Sequence, residues 1–145
     1  MSARSARIHR KNMNGVSMET FSVWGAATAR VVVALFYLVT ALGLAKDFKM
    51  VTGLMAAKGV PVPGPLLIVT ILVWVAGGGA LILGRGIVPA ALVLLVLTAI
   101  ITPLNHNFWA APAQERANEV QHFANNIAIM AGLLAIAAAA SARPL

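Results

Sequence analysis

The chain has 145 residues, 60% of them hydrophobic and only 10% charged, with a mean hydropathy of +0.86 and a formal net charge of +7. Apolar blocks as long as these cannot be hidden inside so small a soluble domain, because too little polar surface would remain to cover them, so lipid is the solvent for most of the chain. The absence of Cys excludes disulfides, thiol redox chemistry and thiolate-held iron or zinc, and no basic stripe interleaved with aromatics marks a nucleic-acid binder.

Residues 1–20 are polar, Ser-rich and basic with no apolar period, which predicts a disordered basic tail on the cytoplasmic side. A basic segment before an apolar run also describes a signal peptide, but Lys46-Asp47-Phe48-Lys49 follows the run where a small-residue cleavage pattern would stand. Phe21 and Trp24 read as interfacial anchors of a first span over about 24–45. Arg30 lies one to two turns inside it, and either snorkels to the headgroups or faces the bundle interior. Lys46 is sixteen residues further on, about 24 Å along a helix, so the two cations mark opposite membrane faces.

Pro61, Pro63 and Pro65 forbid a regular helix interior across the next connection, and Pro65 suits the first turn of a second span over about 66–83. Gly84-Arg85-Gly86 makes a tight turn into a third span over about 87–104, with Pro89 in its first turn and Pro103 near its end. A polar connection follows as far as Gln121, and a fourth span covers about 122–140. Backbone groups in hydrocarbon must be satisfied within their own helix, so the fold class is all-α, an integral membrane four-helix bundle formed by residues 21–145. Gly77, Gly78 and Gly79, and the small residues Ala128, Ala131, Gly132, Ala135 and Ala139, offer close helix packing or, for the alanines, plain membrane filler.

Four spans put both termini on one side. That side carries Arg4, Arg7, Arg10, Lys11, Arg30, Arg85 and Arg143 against Lys46, Lys49, Lys58 and Arg116 on the other. The asymmetry predicts cytoplasmic termini in a bacterial inner membrane.

Chemistry-bearing residues gather at the junction of the third and fourth spans. Glu119, His122, Asn125 and Asn126 share one helical stripe, and His106 should lie at the same depth. One reading is a quinone-headgroup or proton-handling site. His106 or His122 would hydrogen-bond a carbonyl oxygen, Glu119 would fix a tautomer, and Phe108 and Trp109 would flank the ring. The other reading is structural: interfacial histidines, Trp109 in the aromatic belt, and Asn125 and Asn126 tying helix to helix. Two histidines and a Glu without HExxH spacing make neither a zinc hydrolase nor a ready haem site. No self-contained catalytic motif or cofactor fingerprint is present, so no catalytic or metal residue is assigned.

An ordered set of features resembles the DoxX family of small four-helix membrane proteins from about Arg30 to Ala140. It comprises Arg30; Gly43 and Lys46; Gly59, Pro61 and Pro63; Gly77-Gly78, Gly84 and Arg85; His106-Asn107-Phe108-Trp109; Glu115-Arg116; and His122-Phe123 with Asn126 and Gly132. The family often has Glu where this chain has Trp74, and Lys where it has Asn125, so an intramembrane ion pair is missing. The resemblance implies an accessory or quinone-linked membrane subunit of a redox or oxidative-stress complex, with a quinone as cofactor and a soluble or membrane redox protein as partner. The alternative is a non-catalytic scaffold or small-solute carrier. A carrier would show a charged or broken helix at the midplane, where these spans carry only glycines and Trp74, so scaffold ranks above carrier.

Overall fold

The computed structural model describes residues 18–142, with the backbone alone for Met18 and Glu19. Five helices follow in order: α1 Met18–Lys46, α2 Phe48–Ala57, α3 Pro63–Leu83, α4 Ile87–Asn105 and α5 Ala113–Ser141. Among the described residues there is no strand. Helices α1, α3, α4 and α5 are long and apolar enough to cross a membrane; the 19 residues of α4, the shortest, rise about 28 Å. These four close a ring in which α1 packs on α3, α3 on α4, α4 on α5 and α5 back on α1, while the short α2 rests on α3 and α1.

Each of the four long helices contains one expected span, and the helices extend past the expected bounds at their ends. The basic tail falls outside the described residues up to position 17, and Met18 to Thr20 already belong to α1. Helix α3 starts at Pro63, not at residue 66, because a proline in a first turn forfeits no hydrogen bond. Helix α5 starts at Ala113, so the last nine residues of the expected polar connection are helical. Pro112 precedes the first turn and Glu115 sits within it, where the helix dipole favours an acid. The connection from Lys46 to Gly59 is also more ordered than the charges suggest. Asp47 interrupts the helix for one residue, and the chain resumes as α2, whose first turn is tied back by Val51 N–H to the Asp47 carbonyl at 3.0 Å.

The core is small and lies on the bundle axis: Ala34, Tyr37 and Ala41 from α1, Trp74 and Leu81 from α3, Ala91 and Leu94 from α4, and Leu133, Ile136 and Ala137 from α5. Leu42, Leu72, Ile100 and Leu134 point outward, as lipid permits. Lipid gives apolar helices no hydrophobic reason to associate, so close backbone approach must supply the attraction. Two glycines provide it. A Cβ on Gly77 would stand 2.8 Å from Leu94 Cγ, and one on Gly78 3.0 Å from Leu38 Cγ and 3.2 Å from the Ala34 carbonyl oxygen. Gly79 has nothing within 4 Å, and Ala128, Ala131, Ala135 and Ala139 are exposed, so the expected alanine stripe is not the face that α5 packs with. The hydroxyls of Thr40 and Thr70 are satisfied within their own helices, on the Phe36 and Leu66 carbonyls, as a lipid solvent demands.

Candidate functional site

Helix α4 carries Pro103 in its last turn and ends at Asn105, with the His106 N–H still bonded to the Thr102 carbonyl at 2.8 Å. The His106 side chain is thereby delivered to the first turns of α5. Its Nδ1 donates to Glu119 Oε2 at 2.9 Å, and its ring stacks on that of His122 with centroids 5.1 Å apart and planes 22° from parallel. One turn below, Asn126 Nδ2 donates to Thr102 Oγ1 at 3.1 Å, and Thr102 Oγ1 donates to the Thr98 carbonyl at 2.6 Å. The i, i+3 and i+7 spacing of Glu119, His122 and Asn126 is what turns all three toward α4.

These residues form the rim of a cavity of about 630 Å³ between the helices. Its walls are aliphatic and aromatic, with Leu44, Leu67 and Ile101 among them, and Lys58 and Glu115 join the histidines at the rim. Lys58 Nζ donates to the Asn105 carbonyl, one of the carbonyls that the end of α4 leaves without a helical partner. Deeper in, the Tyr37 hydroxyl bonds Thr98 Oγ1 at 2.7 Å, and Tyr37 meets Trp74 edge to face at 5.4 Å. Trp74 lines the cavity and is only 8% exposed, yet its Nε1–H has no acceptor. Thr98 lies in α4 and His106 caps its end, eight residues on, so floor and rim are separated by about 12 Å.

The arrangement has definite chemistry. Glu119, as a carboxylate, accepts from Nδ1 and so holds the proton of neutral His106 there, leaving Nε2 as an acceptor. At the floor, the indole N–H of Trp74 can only donate. A ligand that offers a hydroxyl at the rim would find a matched group in His106 Nε2. Among the described residues no three His, Asp or Glu side chains are grouped as a metal ion would need.

His106, Glu119, His122 and Asn126 come together as the spacing suggested, while three other residues singled out from the sequence do not join them. Phe108 and Trp109 pack with Phe123, at centroid distances of 5.1, 5.4 and 6.2 Å within the trio, and line no part of the cavity. Asn125 is exposed, about 100° around α5 from Asn126, and does not line the cavity. Sequence reasoning passed over Tyr37, Thr98, Thr102, Lys58 and Glu115. The signal for three of them was present: Thr98 and Thr102 are an i, i+4 hydroxyl pair in an otherwise aliphatic span, and Tyr37 is the only tyrosine.

A family model described as DoxX matches residues 25–107, more than half of the chain, from within α1 to just past the end of α4. The chain belongs to the DoxX family. No curated protein and no solved structure matches it. In this DoxX protein the match includes His106 but stops before α5, so Glu119 and His122 lie beyond it. The two positions at which the expected Glu and Lys are missing also part company here, since Trp74 stands in the cavity wall and Asn125 on the outer surface.

Proposed function

We propose that this DoxX protein is a quinone-linked accessory subunit of a membrane redox complex, and that the cavity among its helices receives the quinone ring. The observation that carries the reading is one cavity with apolar walls, the His106–Glu119–His122 group at its rim and the Trp74 and Tyr37 rings at its floor. Its volume of about 630 Å³ falls within the range of roughly 300–1,000 Å³ usual for small-molecule sites. A single ring is shorter than the distance from rim to floor, so its carbonyl engages one end at a time. The chain brings no electron carrier of its own, which leaves electrons to a partner protein. The excess of Lys and Arg on the terminal side supports cytoplasmic termini in a bacterial inner membrane.

Extraction of the lipids that accompany the detergent-purified protein tests the proposal. Near-stoichiometric quinone is expected from the wild type, and a marked loss from His106→Ala and His122→Ala. A second reading, a scaffold that recruits another protein, draws on the exposed Trp109 at the rim of the Phe108–Phe123 cluster. A preparation without quinone, but with a co-purifying protein retained in both histidine variants, would favour it.

A further inference from the structure

Arg30 belongs to the other end of the bundle. It lies in the middle of α1, and its guanidinium sits beside Gly84, where a Cβ would be 3.4 Å from both Nη1 and Nη2. Gly84 and Gly86 hold left-handed conformations at φ 69° and 59° and make the turn that joins α3 to α4. Turn backbone cannot stay in hydrocarbon unsatisfied, so this turn stands at headgroup level, and Arg30 with it. The side chain is not simply extended toward water, because its Nε is buried and has no hydrogen-bond acceptor. Asp47 follows α1 at its far end, and Glu115 and Glu119 line the rim of the distant cavity, so no described carboxylate is near enough to neutralise it.

Beside the guanidinium is a pocket of about 80 Å³ between α1, α4 and α5. Its other walls are Ala26, Ala27, Ile87, Ile136, Ala139 and Ala140. Ile87 is the first residue of α4, so the positive end of that helix dipole opens on the same space. Arg30 is half-buried, with Nε enclosed and no described side chain pairing its charge, so an anion supplied from outside the chain is favoured at its guanidinium. Aliphatic walls at headgroup depth suit a group that carries acyl chains, and a guanidinium fork matches phosphate oxygens.

We infer that Arg30 and the first turn of α4 bind the phosphate of an anionic phospholipid between α1, α4 and α5. The site is independent of the histidine cavity. Full-length protein in detergent is titrated with phosphatidylglycerol or with inorganic phosphate, followed by native mass spectrometry and thermal unfolding. Wild type and Arg85→Gln are expected to retain one phosphatidylglycerol and to unfold several degrees higher with it. Arg30→Gln is expected to hold the lipid about tenfold less tightly, the size of one lost charge-assisted contact. Arg30→Lys keeps the charge without the fork, and serves if the glutamine variant does not fold; it is expected to lose at least half of the thermal gain. Full retention in either Arg30 variant, an equal loss in Arg85→Gln, or the same gain from inorganic phosphate alone would overturn the lipid site.

Discussion

Tyr37 on α1 and Thr98 on α4 share a buried hydroxyl–hydroxyl bond of 2.7 Å, 61 residues apart in sequence. These two helices do not rank among the adjacent pairs of the ring, so the bond reaches across the bundle axis. It closes the floor of the cavity, and Trp74 rests edge-on against its tyrosine.

The bond can be weighed by a double-mutant cycle of Tyr37→Phe and Thr98→Val in detergent or bicelles. Interhelical hydrogen bonds in membranes couple by about 0.6 kcal/mol on average and about 1.7 at most. Because both groups are nearly inaccessible, the coupling is expected in the upper half of that range. A coupling indistinguishable from zero would mean that the two hydroxyls do not hold α1 and α4 together.

Trp74→Phe keeps an aromatic ring in the wall and removes the donor. An unsatisfied buried N–H is a liability of about 1–3 kcal/mol, so the ligand-free variant is expected to be as stable as the wild type or slightly more so. Quinone retention should fall severalfold if the ring carbonyl reaches the floor. Unchanged retention would place the ring at the rim.

Glu119→Gln tests the rim. The His106–Glu119 pair is partly exposed, at 27% and 20%, so its loss is expected to cost no more than about 1 kcal/mol of stability. The carboxylate's hold on the His106 tautomer is lost all the same, and quinone content should drop without a matching drop in the unfolding temperature. Equal losses in both would assign the pair a structural role alone.

The three consecutive glycines of α3 give a contrast within one turn. Gly77→Ala puts a methyl 2.8 Å from Leu94, and Gly78→Ala one 3.2 Å from the Ala34 carbonyl; overpacking of this kind costs about 1–3 kcal/mol. Gly79→Ala meets nothing within 4 Å and should be neutral, or stabilising by up to about 1 kcal/mol. Thermal unfolding of the three variants reads the pattern, and a uniform response would contradict the packing described for α3.

The four spans were legible because uninterrupted apolar length is a strong signal, and the stripe of Glu119, His122 and Asn126 because helical spacing survives into the fold. Two helical stretches were not. The residues from Ala113 to Gln121 are polar, and apolar character had stood in for helicity; α2 is too short to register as a span, carries Lys49 in its first turn and is followed by Lys58. The floor of the cavity was hidden for a different reason. A helix apolar on every face carries no period to say which side looks inward, so Tyr37, Trp74 and Thr98 stood out by residue type, but nothing in the spacing of α1, α3 and α4 placed them on the inner face. The same blindness made Gly79 look equivalent to Gly77 and Gly78.

Helix α2 buries no residue, yet it supplies Val51, Leu54 and Met55 to the cavity wall, and Lys58 follows at its end. The other sides of that wall belong to long helices clamped by Gly77, Gly78 and the Tyr37–Thr98 bond. The chamber therefore has several stiff sides and one soft one, pinned at its edge by Lys58 on the Asn105 carbonyl. Its capacity is a property of where one ten-residue helix sits, and a small tilt of that helix alters the space inside without disturbing the bundle.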